Sequence, residues 1–269
     1  MTDTTDTTDT TEPLRLGGMA LRNGLLVHGP GHWAVAVRRS DGTIGVASGA
    51  KPRLPGPVQR LPGARGVVRL SEAMAVIPLA KRGLPEARLP WQDRRVVVAA
   101  GIAMAGNALL RRRAHGLPGE LLRAGVSLVP SVIALGGGDL AAYHGVEHKA
   151  IAAYEQGEGD ARDVPKEHDR CGSHLMAPLL AASIVGTALL RRRVPEPGPL
   201  GQAAVSLGAV GVAVEVFAWT ERNSDTALAA ALRLPGHELQ RVLGTREPTD
   251  AQLDVGRAAL AEIVRAEAG

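Results

Sequence analysis

The chain contains 269 residues with a formal net charge of +4. Apolar residues make up 45% of it, but only three Trp, two Tyr and one Phe are present. The apolar fraction is therefore mostly Ala, Val and Leu, which favours closely packed helices, and the lack of aromatic stacking platforms argues against a nucleic-acid-binding protein. The one cysteine, Cys171, excludes an internal disulfide and fits a reducing compartment.

The N-terminal part divides into a tail and a small α+β region. Residues 1–16 are acidic and repetitive and lack an apolar core, so they are predicted to be a disordered tail and not a secretory signal. Residues 17–90 contain a β-hairpin pattern, because large and small apolar residues alternate over 33–37 and an Asp-Gly turn follows before 43–47. Apolar residues at helical spacing over 64–81 predict an amphipathic helix that lies on a sheet or on a membrane surface.

The middle of the chain contains a repeat of an uncharged run, three arginines, a Pro/Gly turn and a second apolar run. Residues 106–128 ("GNALLRRRAHGLPGELLRAGVSL") resemble residues 186–207 ("GTALLRRRVPEPGPLGQAAVSL"). This pattern predicts one helical hairpin in each of the regions 91–142 and 174–220. The paired helices are expected at 96–110 with 121–138 and at 175–190 with 200–219.

These hairpins fit either a membrane or a buried soluble bundle. The uncharged stretches 96–110 and 175–190 have 15 and 16 residues, and a 15-residue helix covers roughly 23 Å of a bilayer core of roughly 30 Å. Arginines at both ends can snorkel and lengthen the span. The pattern therefore favours a mainly α, multi-pass membrane protein with about four spans, and the lipid bilayer is its expected partner. Residues 221–269 are predicted to be soluble C-terminal helices.

Two acidic residues lie near the ends of the second helices of the hairpins. Asp139 is interpreted as an interfacial residue beside a polar loop, whereas Glu215 can lie inside the membrane, where acids usually face a polar cavity. Basic residues occur on both sides of the spans, so they do not decide the orientation. Four spans place the N-terminus, the loop 143–173 and the C-terminus on one side of the cell membrane, and we expect that side to be cytoplasmic.

The loop 143–173 carries the residues that suggest chemistry. In "YHGVEHKAI", His144 and His148 are one helical turn apart with Glu147 between them, an H-x-x-E-H pattern of the inverted zinc-protease type. Farther along, "EHDRCGSH" adds His168 and Cys171. Nitrogen and sulfur ligands favour zinc over calcium or magnesium. Four ligands would close a structural site, whereas three would leave a position for water and make Glu147 a general base.

Several of these residues also fit ordinary structural roles. His144 and His148 can be polar residues at a helix end, and Cys171 can be a buried small hydrophobic residue. We interpret His174 as the first residue of a helix. His28 and His32, which flank a Gly-Pro-Gly segment, are interpreted as turn residues and are not assigned to the site.

These motifs resemble the YqhQ-like bacterial membrane proteins of unknown function, which are described as predicted metal-dependent enzymes. The resemblance lies in "YHGVEHKAIAAYEQGE" (143–158), "HDRCGS" (168–173), the opening "GGMALRNGLLVHGP", "WAVAVRRSDG" and "LRLPGHELQRVLGTREPTDAQLDV". It implies a multi-pass membrane protein in which His144, Glu147, His148, His168 and Cys171 share one site. The chain departs from the family at Asn23, where a glutamate is usual, and at His174, where an aromatic residue is frequent.

Three hypotheses follow. The first is a membrane-embedded, zinc-type hydrolase in which Glu147 takes the proton from the attacking water. The second is a membrane scaffold or assembly factor with a structural metal site, and the third is a transporter that uses the hairpin repeat, with Asp139 or Glu215 in its path.

Overall fold

The computed structural model describes residues 13–53, 65–113, 116–136, 138–157, 160–194 and 197–269. In these ranges the chain forms four strands, β1 Gly17–Leu21, β2 Gly24–His28, β3 His32–Arg38 and β4 Ile44–Ala50. The α-helices are α1 Arg65–Gly83, α2 Arg94–Arg113, α3 Gly116–Gly136, α4 Asp139–Gln156, α5 Met176–Arg193, α6 Pro199–Arg222, α7 Ala227–Leu239 and α8 Asp250–Ala268. Short 3-10 turns at Pro90–Gln92 and Gly172–Leu175 and a π-helical turn at Gln240–Gly244 complete the described elements.

The four strands form one antiparallel sheet in the order β1-β2-β3-β4. The predicted β-hairpin is confirmed as β3 and β4, in which Arg38 pairs with Ile44 across the turn and His32 pairs with Ala50. Strands β1 and β2 precede them and were not predicted, because the glycines of "GGMAL" conceal the strand pattern.

Both faces of this sheet are covered, which explains why large and small apolar residues alternate along β3. Ala34 and Ala36 face a core that also contains residues of α4 and α8, and their small side chains let these helices approach the sheet closely. Trp33, Val35 and Val37 face a second core, which is closed by α1. The helix predicted at 64–81 therefore lies on the sheet.

Helix α4 packs on the sheet beside the C-terminal helix α8, which it also contacts, and is buried along most of its length. It begins after Gly138, whose φ of 85° turns the chain sharply at the end of α3. The segment predicted as a metal loop at 143–173 thus starts with a buried helix, and only its second part, from Gly157 onward, is a loop. Asp139 is the first residue of this helix and is exposed.

The two predicted hairpins are present as α2 with α3 and α5 with α6. Within the described ranges, three helical segments are long and apolar enough to cross a membrane: Pro118–Gly136, Gly172–Arg193 and Pro199–Arg222. Only 11%, 11% and 17% of the residues in their apolar windows are buried, so these helices present apolar surface outward. Helix α2 begins with two arginines and does not meet this criterion, so the count of four spans stays a prediction.

The chain begins to pack before residue 17, the position at which the sequence analysis ends the tail. Leu16 is only 6% exposed, and the Leu14 backbone N–H lies 3.4 Å from the Tyr154 hydroxyl. The tail residues 1–12 lie outside the described residues.

Close backbone packing on α4 yields the first prediction. A Cβ at Gly145 would lie 2.3 Å from the Arg246 carbonyl oxygen, and the Arg246 N–H donates to the Ala141 carbonyl at 2.9 Å, which holds this segment against the helix. We expect Gly145→Ala to destabilise the protein by about 1–3 kcal/mol, because backbone must move to relieve the clash. Thermal unfolding of the detergent-purified protein measures this change.

The matched control is Gly125→Ala in α3, where nothing lies within 4 Å of the added Cβ. It should leave the melting temperature unchanged or raise it slightly, because alanine favours the helix. An equal effect of both substitutions would contradict the packing argument.

Candidate metal centre

Helix α4 presents His144 and His148 with defined tautomers. They lie one turn apart, and their ring centroids are 4.3 Å from each other. His144 Nδ1 lies 2.8 Å from the Gly244 carbonyl oxygen, and His148 Nδ1 lies 2.7 Å from the Lys166 carbonyl oxygen. Because a carbonyl only accepts, both Nδ1 atoms carry the proton, so in the neutral rings each Nε2 carries a lone pair that can accept a hydrogen bond or bind a metal. This backbone contact is the usual way in which metal-binding histidines are oriented.

Cys171 completes a group of three potential ligand atoms. Its Sγ lies 3.4 Å from His144 Nε2, and the ligand atoms of His144, His148 and Cys171 all lie within 4.8 Å of one another. Cys171 caps the Gly172–Leu175 turn, where its sulfur accepts the Ser173 N–H at 3.5 Å.

His148 Nε2 is a buried polar atom for which the described residues supply no hydrogen-bond partner. An unpaired buried acceptor is unfavourable unless something binds to it. The two imidazole nitrogens and the thiolate form a soft donor set that suits zinc better than the hard cations. The residues present therefore fit a zinc-type ion on chemical grounds.

The protonation states of these ligands differ. Burial lowers the pKa of His148 to about 2, and the neighbouring His144 adds to this shift, so the imidazole is neutral and able to donate its lone pair to a metal. Burial raises the pKa of the Cys171 thiol, so a metal that binds its thiolate must displace a proton.

Glu147 lies on the same helix and lines the same cavity as His148 and Cys171. Burial raises the pKa of its carboxyl to about 7, and Cys171 adds to this shift, whereas the electrostatic effect of His144 and a backbone hydrogen bond from Ala20 act in the opposite direction. A carboxyl with a pKa near neutrality can both accept and return a proton. Gly18 makes room for it, because a Cβ there would lie 2.7 Å from Glu147 Oε1.

His168, which the sequence analysis predicts as a ligand, is adjacent to the cluster but outside it. Its ring centroid lies 5.7 Å from that of His148. Its Nδ1 accepts the Arg170 N–H at 3.2 Å, and its Nε2 lies 3.8 Å from Glu155 Oε2. Both ring nitrogens are therefore engaged elsewhere.

Glu155 holds His168 and Arg170 as a polar network beside the metal centre. Burial raises the pKa of the Glu155 carboxyl, but hydrogen bonds and charge from His168 and Arg170 outweigh it, and the pKa lies below its usual value. The ionised carboxylate pairs with the Arg170 guanidinium and faces His168 Nε2. This network turns His168 away from the three ligand atoms.

Gln240 is completely buried and joins the loop to the C-terminal part. Its Oε1 accepts the His168 N–H at 2.8 Å, and its Nε2 lies 3.2 Å from the His168 carbonyl, 2.9 Å from Ser173 Oγ and 3.2 Å from His174 Nε2. His174 is also buried, and its Nδ1 lies 3.0 Å from the Arg233 carbonyl oxygen. It lies in the turn before α5 and contributes to packing, in line with its interpretation from sequence.

His28 is a cavity residue that sequence reasoning missed. It ends β2 and lines a cavity of about 280 Å³ together with Glu147, His148 and Cys171. Burial and then the charge of Lys51 lower its pKa to about 4. Lys51 Nζ lies 3.1 Å from His28 Nδ1, and since an ammonium only donates, the neutral ring carries its proton on Nε2.

The rest of this cavity is largely apolar. Its walls include Leu70, Met74 and Ile77 of α1 and Ile151 of α4. Gly17 faces His28 across the strand pair, and a Cβ at Gly17 would lie 2.9 Å from the His28 ring. The two glycines that open the "GGMAL" segment therefore provide space for His28 and for Glu147, which is a role that no local sequence signal shows.

Lys149 has a buried side chain, although a lysine after the histidine motif would be expected to be exposed. Its Nζ donates to the Val164 carbonyl at 2.7 Å and the Arg162 carbonyl at 3.2 Å, and it pairs with Glu247 Oε1 at 2.9 Å. It thereby fixes the loop that supplies the carbonyl partner of His148.

The two acids singled out for a transport path lie apart from this centre. Glu215 is exposed on α6 inside a candidate span, and Asp139 is exposed at the start of α4. Neither lines the metal-centre cavity or the cavity between the hairpins.

Comparison with known proteins places this centre in a family context. Residues 139–266 match a family described as "Protein of unknown function (DUF1385)". The chain is 26% identical over 305 aligned residues to the uncharacterised protein YqhQ of Bacillus subtilis (strain 168), covering 95% of this chain and 94% of that protein. The chain fits a YqhQ-like family of unknown function. The resemblance read from the motifs is thereby confirmed, and the matched residues include all three ligands of the cluster. No solved structure matches the chain.

The buried amide of Gln240 yields the second prediction. Gln240→Ala removes four contacts that hold the His168–His174 segment, so Cys171 should lose its fixed position. We expect a loss of stability of about 1–3 kcal/mol and, for the zinc site proposed below, a fall in zinc affinity of about 10-fold to 100-fold, as is typical of residues that support metal ligands. Thermal unfolding and competition with a chromophoric zinc chelator measure these two changes.

Gln252→Ala is the control, because Gln252 belongs to the N-terminal capping box of α8 and has no contact with the cluster. It should lower stability moderately and leave zinc affinity unchanged. Equal zinc affinity of the Gln240→Ala variant and the unaltered protein would contradict the supporting role.

Proposed function

We propose that this chain is a multi-pass membrane protein with a zinc-type hydrolytic centre, in which His144, His148 and Cys171 bind the ion and Glu147 is the general base. The supporting observation is the convergence of the three ligand atoms, with both histidines oriented by backbone carbonyls and with His148 Nε2 buried and unpaired. Three ligands in place of the four expected from sequence leave one coordination position open, as in catalytic zinc sites.

The chemistry follows from the placement of the residues around the cavity. A bound divalent ion supplies Lewis-acid activation of water at neutral pH. Glu147 would take the proton of the attacking water, since its raised pKa lets it accept a proton and later return it to the leaving group. The apolar wall from α1 would hold the non-reacting part of the substrate and exclude water from it.

A closed, structural metal site is the competing proposal. It would require His168 as a fourth ligand, and that residue would first have to give up its contacts with Arg170 and Glu155. The ionised Glu155 favours the present orientation of His168. These contacts support an open centre.

The membrane arrangement is also part of the proposal. The three apolar helices and α2 would form four spans in the cell membrane, with α2 completing the first hairpin. The N-terminus, the metal centre and the C-terminus would then share one side, which we assign to the cytoplasm. The apolar surface of the spans supports a bilayer as the partner.

The third prediction concerns metal content. The full chain, purified in detergent without a metal-affinity tag, should contain about one zinc ion per chain, since one group of three candidate ligands converges in the described residues. Inductively coupled plasma mass spectrometry should show loss of this zinc in a His144→Ala/His148→Ala variant and its retention in His168→Gln. His237→Gln, which alters a histidine outside the cluster, is the control.

Each alternative outcome of this experiment has a clear meaning. Loss of zinc in His168→Gln would support the closed, structural site and contradict the three-ligand centre. A protein without stoichiometric metal, after zinc supplementation, would refute the metal centre and return the histidines to a purely structural role.

The fourth prediction separates binding from catalysis. Glu147→Gln should keep the zinc content, and the cobalt-substituted protein should still change its visible spectrum when azide is added, because the open position remains. Hydrolysis of p-nitrophenyl acetate should fall by about 100-fold or more with the loss of the general base. Glu86→Gln, a surface variant outside the cavity, should hydrolyse this ester at the unaltered rate. Loss of metal in Glu147→Gln would make Glu147 a ligand and contradict its proposed role.

A further inference from the structure

A second cavity, of about 450 Å³, lies between the two helical hairpins and is separate from the metal-centre cavity. It is lined by α2, α3, α5 and α6 and extends along α5 from Leu179 to Arg191. Its walls carry guanidinium, amide and hydroxyl groups, although three of the four helices are candidate membrane spans. Polar groups at such positions are costly and normally serve a function.

The sequence repeat explains how these polar groups converge. In the first helix of each hairpin, Asn107 corresponds to Thr187 and Arg111 corresponds to Arg191 in the paired segments "GNALLRRR" and "GTALLRRR". All four residues line this one cavity. The repeated arginines are therefore more than membrane-flanking charges, because one from each copy points to a shared site.

In the second helices of the hairpins, equivalent positions of the repeat also line this cavity. In "RAGVSL" and "QAAVSL", Arg123 corresponds to Gln202 and Ser127 corresponds to Ser206. These four residues also line the cavity. Equivalent positions of both repeat copies thus contribute to one polar centre with approximate internal symmetry.

The charges in this centre do not balance. Arg111, Arg123 and Arg191 are opposed by one acid, Glu120, so the lining carries a net charge of about +2. Glu120 is shared between Arg123 and Arg191, whose side chains are 12% and 27% exposed. Arg111 has the neutral Gln202 amide oxygen as its partner.

Several polar atoms that line this cavity also lack hydrogen-bond partners. Arg123 Nη1 and Arg191 Nε are buried donors, and no acceptor within the described part of the chain reaches them. Asn107 Oδ1 is a buried acceptor that also lacks a donor there. A bound molecule with anionic oxygens and a hydroxyl would satisfy all three groups, because guanidinium groups match phosphate oxygens geometrically.

We propose that the two hairpins form a binding site for a phosphate group, with Arg123 and Arg191 as its principal ligands and Asn107 as the acceptor for a neighbouring hydroxyl. The phosphate comes either from the headgroup of an anionic phospholipid or from a soluble phosphate compound. This site is separate from the candidate metal centre. The phosphate-site proposal and the hydrolase proposal can therefore be confirmed or refuted independently.

The test uses the full chain in neutral detergent with two probes. Equilibrium dialysis with radiolabelled inorganic phosphate measures the soluble source, and native mass spectrometry after addition of phosphatidylglycerol or phosphatidylcholine measures retained lipid. We expect saturable binding of one of the two anionic probes and weaker retention of phosphatidylcholine. Arg123→Gln should weaken binding by about tenfold or more, as for a lost charge-assisted contact, and Arg113→Gln, an exposed tip arginine outside the cavity, should not.

A second variant with the opposite expected sign separates binding from folding. Glu120→Gln raises the charge of the lining by one and keeps the side-chain shape, so it should tighten anion binding, whereas general damage to the bundle would weaken it. Circular dichroism and thermal unfolding report whether each variant is folded, and if Arg123→Gln unfolds, Arg191→Gln replaces it. Phosphate binding identifies the soluble source, and phosphatidylglycerol retention alone identifies the lipid. Absence of binding of both anionic probes, equal binding by Arg123→Gln, or weaker binding by a folded Glu120→Gln variant would overturn the proposal.

Discussion

The burial of α4 is the constraint on which the rest of the described structure depends. Glu147, His148 and Lys149 are three consecutive polar residues, and all are less than 10% exposed. Burial of polar groups is costly unless each finds a partner. Their side chains point in three directions around the helix, so each finds a different partner. Glu147 accepts a hydrogen bond from the Ala20 backbone in β1, His148 Nδ1 donates to the Lys166 carbonyl, and Lys149 Nζ donates to the Val164 carbonyl.

These contacts make the candidate metal centre a consequence of long-range packing. His144 is oriented by the carbonyl of Gly244, 100 residues away, which belongs to the π-helical turn Gln240–Gly244. Such turns shift backbone carbonyls out of the regular helical pattern and are frequent at functional sites. The turn also contains Gln240, which holds the segment on which Cys171 lies. The C-terminal segment thus holds two of the three candidate ligands, His144 and Cys171, in place, although it lies outside the sequence motifs that contain them.

Local patterns predicted those features that depend on neighbouring residues. The i, i+4 spacing of His144 and His148 placed them on one face of a helix, and the alternation along 33–37 identified a strand. The mainly helical class with a small N-terminal sheet was also predictable, since the middle of the chain repeats apolar helical runs and residues 33–47 show a strand-turn-strand pattern. The span count was not, because α2 combines a short apolar run with charged ends.

The roles of residues that depend on distant partners were not predictable from the sequence. His28 belongs to the site because β2 pairs with β1 and lies beside α4, and nothing in its Gly-Pro-Gly surroundings indicates that placement. His168 has the residue type and spacing of a ligand, but Glu155 and Arg170 engage both of its nitrogens. A motif therefore shows which residues can bind a metal, and the tertiary contacts decide which lone pairs are free to do so.

Helix α5 connects the two polar centres. Cys171 precedes the 3-10 turn Gly172–Leu175 that leads into this helix, and Arg191 lies in its last turn. One helix of 18 residues, about 27 Å long, therefore separates the candidate sulfur ligand from the arginine of the second cavity. Substitutions that alter only the charge of the hairpin cavity should therefore preserve the geometry of the candidate metal centre, since none of the described residues lines both cavities.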